Sequence, residues 1–193
     1  MAREHELEDY LSETGDGWND SIERWTYATR TDLAKKVGVE GYYIRMAPKS
    51  GDGAPVIQGK IEMKNVSEKT FVPAASIVSI DALALVRFGL RAADDSRMLN
   101  TVRVIDSLLK VETTNGPSWR RYNHDGYGEH ADGSAFDATG IGRPWPLLTG
   151  ERAHYELAAR LAPAARRLIR ARELSLTWGG VSPGRSWVTP HLP

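Results

Sequence analysis

Between Trp119 and Phe136 the chain reads WRRYNHDGYGEHADGSAF. Trp119, Tyr122 and Tyr127 alternate there with Arg120, Arg121, Asp125 and Glu129, where a buried segment would carry aliphatic side chains. A sugar ring offers C–H faces that stack on indole and phenol rings. It also offers a rim of hydroxyls that need donors and acceptors of the kind Arg, Asp, Glu and Asn supply. The stretch therefore has the composition of a carbohydrate-binding loop, and equally that of a structural loop in which Tyr and Arg serve each other. His124 and His130 lie near Asp125 and Asp132, but their spacing matches no strong metal motif, so no metal site is expected.

The following segment, GIGRPWPLLTGERAHYELAA, sets Trp145 between two prolines that restrict the backbone on either side of the indole. Such a ring is held ready to stack on a ligand or to close a core. Thr149, Gly150 and Glu151 read as a polar bend entering a helix, on which His154 is expected to be a partly exposed histidine rather than a catalytic one. The run from Gly140 to Gly142 lacks the further glycine and the preceding strand of a dinucleotide fingerprint, and reads as a loop.

These residues need a scaffold, and the composition bounds it. The chain has 193 residues, 41% hydrophobic and 26% charged, which is the composition of about one globular domain. Lys plus Arg and Asp plus Glu each number 25, so no net field draws the chain to nucleic acid or to an anionic membrane. Cysteine is absent, which removes disulfides, zinc–thiolate sites and thiol nucleophiles. The N-terminal residues are polar and charged, no apolar run is long enough to span a bilayer, and a cytoplasmic protein without cofactors is expected.

Helical periodicity is visible from Arg3 to Leu11 and again from Asp16 to Tyr27, where Trp18, Ile22 and Trp25 share a face. Gly38 to Pro55 reads as a short extended run and then a loop. Ile80 to Val111 predicts two helices. The first is capped by Asp81, with Leu83, Leu85, Val86, Phe88 and Leu90 covering most of its circumference. The second carries Met98, Val102, Ile105 and Leu109 on one stripe and Arg97, Asn100, Arg103 and Asp106 on the other. After the Asn115-Gly116 turn signal more than twenty-five residues lack regular periodicity, a loop length that is often functional. A helix pair follows, Trp145 to Ala159 and Pro163 to Leu174.

Three blocks together resemble the bacterial glucoamylase-type branch of glycoside hydrolase family 15: ERWTYATRTDLAKKVGVEGYYIRMAP, DALALVRFGLRAADDSRMLNTVRVIDSLLKVET, and the run from Trp119 to Ala159. The likeness extends from about Glu13 to Ala159. It implies an all-α fold, about the C-terminal half of an (α/α)6 toroid with long loops, and exo-hydrolysis of α-glucosidic bonds with inversion, releasing glucose from starch-like glucans. The Arg-Tyr-x-x-Asp-x-Tyr pattern falls on Arg121, Tyr122, Asp125 and Tyr127. The resemblance gives these residues, with Trp145, the innermost glucose subsite, and gives Trp119 and Glu151 the support of that pocket. The partners it implies are an α-glucan or glucose-containing oligosaccharide and the complementary part of the toroid.

An inverting glycosidase needs two carboxyls on opposite faces of the sugar, about 6.5–9.5 Å apart. The family's acid stands in a Trp-Glu-Glu stretch, and no Trp here is followed by Glu. Its base stands in a Pro-Glu-Gln-x-Trp stretch. The nearest match here, GGVSPGRSWVTP, has Gly184 and Arg185 at those positions, so no catalytic residue is assigned. Twelve helices of ~11–12 residues with connections of ~4–6 would need about 180–220 residues without any long loop. The periodicity supports about six, so residues 1–174 are expected to form part of the domain and residues 175–193 a divergent tail. Leu83, Leu85 and Phe88 would then present an apolar face without partners. A chain inactive alone, a non-catalytic sugar- or partner-binding module, and a trehalase or glucodextranase relative remain open.

Overall fold

A computed structural model describes residues 2–177 apart from positions 52, 129, 131 and 133. The tail bearing Pro183, Gly184, Arg185 and Trp187 lies outside the described residues.

Helices carry the architecture: α1 (Ala2–Thr26), α2 (Asp32–Val37), α3 (Ala84–Arg87), α4 (Ser96–Leu109), α5 (Pro146–Ala158) and α6 (Ala162–Thr177). Three small antiparallel sheets accompany them: β1 (Tyr27–Thr29) with β2 (Gly41–Tyr43), β3 (Lys60–Glu62) with β4 (Phe71–Pro73), and a three-stranded sheet in the order β5 (Lys110–Thr113), β6 (Gly116–Arg120), β7 (Pro144–Trp145).

The two expected N-terminal helices are one, since α1 runs unbroken through Gly15 and Gly17. α2 starts on Thr31, whose Oγ1 accepts the Ala34 N–H at 3.0 Å, and stops at Gly38 in the left-handed region. α4 begins at Asp95, whose carboxylate accepts the Arg97 N–H at 2.8 Å. Its apolar stripe forms as the periodicity predicts, with Met98, Val102, Ile105 and Leu109 all buried against β2 and the three-stranded sheet. Thr101 joins this face: its hydroxyl donates to Arg97 O and accepts the Tyr43 N–H at 3.0 Å, fastening α4 to β2.

Two expectations around α4 need correction. The helix predicted from Ile80 is a 3-10 turn, Ile80–Leu83, followed by the single turn α3, and its N-cap is Ser79 rather than Asp81. Ser79 Oγ accepts the Asp81 N–H at 3.2 Å, and Gly89 at φ 73° ends the segment. The supposed unpartnered face divides accordingly: Leu83 is buried, Leu85 packs on the core from its edge, and Phe88 is 68% exposed beside Arg87. Second, Lys110 and Val111 are not helical. They open a hairpin closed over Thr114 and Asn115, with Thr113 paired to Gly116 at φ 113°.

α5 and α6 form the predicted helix pair, each with a proline in its first turn, Pro146 and Pro163. The segment from Arg121 to Arg143 between β6 and β7 has no regular structure among its described residues. No helix among the described residues is long and apolar enough to cross a membrane.

Candidate sugar-binding site

β6 and β7 set the frame of the site. Trp119 pairs in register with Trp145 and Arg120 with Pro144, so the long loop leaves and re-enters the sheet on neighbouring strands. Loop residues Arg121–Tyr127 and the indole of Trp145 are thereby brought together by the pairing of two strands.

Asn123 clamps the loop to the core: its Oδ1 accepts the Val78 N–H at 2.8 Å and its Nδ2 donates to Ser76 O at 2.6 Å. Asp125 follows, and its side chain is almost wholly buried. Arg121 grips it with two N–H donors, Nε to Oδ2 at 2.7 Å and Nη2 to Oδ1 at 2.9 Å, while the Tyr127 backbone N–H reaches Oδ1 at 3.1 Å. This fork is the strong, geometrically specific form of an ion pair, and it raises the Arg121 pKa above its already high ordinary value. Gly142 makes the fit possible. Its N–H donates to Asp125 O at 2.6 Å, and a Cβ there would stand 2.8 Å from Asp125 Cγ. Gly142 thus serves the site by close approach.

Held in this way, the Arg121 guanidinium lies 5.5 Å from the ring centre of Tyr122, 5.2 Å from Tyr127 and 5.5 Å from Trp145. Its Nη1 has no hydrogen-bond partner among the described residues. Tyr127 is exposed and packs at 5.2 Å on Phe136, and Trp145 is partly buried. An oriented cation with a free donor edge, walled by two reachable aromatic rings, can bind hydroxyls along a ring that stacks on the aromatics.

The expected contact residues differ in exposure. Tyr127 is exposed and Trp145 partly buried, whereas Tyr122 and Asp125 are 6% and 5% exposed, and the Asp125 carboxylate accepts from Arg121 and from the Tyr127 N–H. Tyr122 is held between Arg121 and Arg45, whose guanidinium sits 3.8 Å over its ring. Trp119 is 2% exposed and donates its indole N–H to Asp106 on α4 at 2.9 Å, bracing the sheet from behind. Glu151 stands apart from this group. It pairs with Arg87 at 2.7 Å and lines a groove between α5 and α6 with Leu147, His154 and Arg172. His154 is exposed, and His130 pairs with Asp137 at 2.8 Å. No group of three or more His, Asp or Glu able to hold a metal occurs among the described residues.

The sequence reading missed Arg45, Asn123 and the cluster of Arg152, Asp106 and Glu156. Arg152 donates Nη2 to Asp106 at 3.1 Å and pairs with Glu156 one turn on, joining α5 to α4 beneath Trp119. An arginine four residues before a glutamate on a helix is the one sequence signal of this cluster.

The family model described as Glycosyl hydrolases family 15 matches residues 8–178. A glucoamylase of Clostridium sp. (strain G0005) is 37% identical over 191 residues, which is 99% of this chain and 26% of that protein. The crystal structure of a bacterial glucoamylase complexed with acarbose superposes with a TM-score of 0.72 at 40% identity, covering 84% of this chain and 23% of that one. The chain belongs to glycosyl hydrolases family 15 and has the fold of part of an (α/α)6 toroid. It spans about a quarter of the length of these two relatives.

Proposed function

We propose that this chain supplies the glucose-binding wall of an inverting, exo-acting α-glucosidase of glucoamylase type, acting on starch-like glucans, and that by itself it binds sugar without cleaving it. One observation carries the reading: Arg121 is fixed by the buried Asp125, with its guanidinium 5.2 Å from the ring centre of Tyr127 and 5.5 Å from that of Trp145. The terminal glucose would stack on these rings and accept hydrogen bonds from Nη1 through its hydroxyls. Asp125 works through Arg121 as a positioning residue. The acarbose complex of the bacterial glucoamylase supports a glucan-like ligand. The lack of a Trp-Glu or Pro-Glu pair anywhere in the chain supports the inactivity, because inversion needs both an acid and a base.

The test uses the purified full chain. Calorimetric titration with maltose and acarbose should show saturable binding, and maltooligosaccharides should release no β-glucose. Loss of a charged hydrogen bond, about 1.5–3 kcal/mol, predicts that Arg121→Ala weakens binding roughly tenfold or more. Glucose release by the wild-type chain would overturn the inactivity, and undiminished binding by Arg121→Ala would overturn the pocket.

A further inference from the structure

Arg120 and Arg121 are adjacent but lead to different places. Arg121 enters the aromatic wall, whereas Arg120 lines an adjoining cavity of about 330 Å³ with Val66, Tyr122, His124, Asp125 and Ile141. Alternation of side chains along an extended backbone is the reason two neighbouring arginines diverge.

Among the described residues the buried charged side chains, Asp125, Arg152 and Glu156, each have an opposite charge beside them, whereas the half-buried Arg120 has none. Its Nε is closed to solvent and has no hydrogen-bond partner among the described residues. No carboxylate of the described residues lies within ion-pair distance of it, and burial alone pushes its pKa down. The polar groups that share the cavity are already engaged. The Asp125 carboxylate accepts from Arg121 and the Tyr127 N–H, and the Asn123 amide bridges Ser76 and Val78. His124 adds an imidazole, on a backbone held at φ 63°. The cavity therefore offers a half-buried cation whose enclosed Nε lacks an acceptor, and an enclosed donor without one is costly until it is hydrogen-bonded.

We propose that this cavity is a second ligand site, which takes a small oxyanion, phosphate or carboxylate, on the Arg120 guanidinium. The bound oxygens accept from Arg120, in the planar geometry a guanidinium presents to such groups. The inference does not rest on the sugar reading, since Arg120 takes no part in the Arg121 cage.

Binding is measured by titrating the full chain with inorganic phosphate and separately with acetate, by calorimetry, with chloride at matched ionic strength as the reference. Saturable binding of at least one of the two is expected, and which anion binds more tightly identifies the preferred class. Arg120→Met, which keeps the stem and removes the charge, should abolish it. Arg120→Lys, which keeps the charge and loses the fork, should weaken it about tenfold and remains informative if the methionine variant does not fold. Saturating maltose should leave the anion affinity unchanged. Absence of saturable binding of either anion to the wild-type chain, equal affinity in the folded arginine variants, or competition by maltose would each overturn the proposal.

Discussion

α1 and α4 are both amphipathic, yet they meet opposite fates. On α4 the stripe of Met98, Val102, Ile105 and Leu109 lies against β2 and the three-stranded sheet and is buried throughout. On α1, Leu7, Tyr10, Leu11 and Trp18 fall at helical spacing but are all exposed, Trp18 by 64%. Only the last two turns of α1 are held, where Asn19 accepts from Arg91, Ile22 packs on the core, and Glu23 takes a two-pronged hydrogen bond from Arg91 and another from the Tyr43 hydroxyl. Periodicity makes a helix amphipathic; burial needs a second surface whose shape and position fit that stripe. α4 has the sheet to meet it, and for most of its length α1 meets nothing among the described residues.

The contrast predicts unequal costs of mutation. Ile105→Ala, in the fully enclosed α4 stripe, should cost about 2–5 kcal/mol in denaturant unfolding, from lost burial plus an unfilled cavity. A cost near zero would mean that α4 is not the centre of the core. Asp106→Ala, on the same helix, removes the acceptor of Trp119 Nε1 and one of the two carboxylates on Arg152, and should cost about 1–3 kcal/mol.

A pH titration sharpens the same contrast, because each helix is anchored by one depressed acid. The Arg91 guanidinium holds Glu23 at about 2, and Arg97 holds Asp95 at about 2. Both folded-state values lie below the ordinary carboxylate range of about 4. Their contribution is therefore complete above about pH 5 and is lost as the pH falls towards 2. Glu23→Gln should flatten that part of the stability profile by releasing α1, and Asp95→Asn should flatten it by weakening the cap of α4. An unchanged profile in both variants would show that neither anchor operates. The smallest effect is expected for Leu11→Ser on the bare face of α1, within about 0.5 kcal/mol of wild type. Sedimentation of that variant should show less self-association, since an exposed apolar stripe is removed. A loss comparable to that of Ile105→Ala would erase the difference between the helices.

Legibility in the sequence followed the range of the interaction. α4, α5 and α6 were readable because a repeat of apolar positions is a local property of the chain, and the unstructured run after β6 was readable because that repeat stops. The short segment after Ser79 was misread: Leu83, Leu85, Val86, Phe88 and Leu90 look like a helix buried all round, but Gly89 and the packing of Leu83 end it after one turn of α3. β5 was missed because Lys110 and Val111 continue the text of α4 without a break, and only pairing with Trp119 and Ser118 draws them into a strand.

The motif at Arg121, Tyr122, Asp125 and Tyr127 was legible by resemblance, whereas the division of labour within it was not. A sequence lists side chains capable of meeting a hydroxyl, but accessibility belongs to the folded chain, where Gly142 approaches Asp125 closely and Arg121 engages both its carboxylate oxygens. By itself, then, the order of residues determined the helices α4, α5 and α6, the place of the long loop and the family to which the chain belongs. Tertiary structure alone decided which of those side chains are enclosed and which stay exposed, because burial and strand pairing arise from contacts between segments distant along the chain.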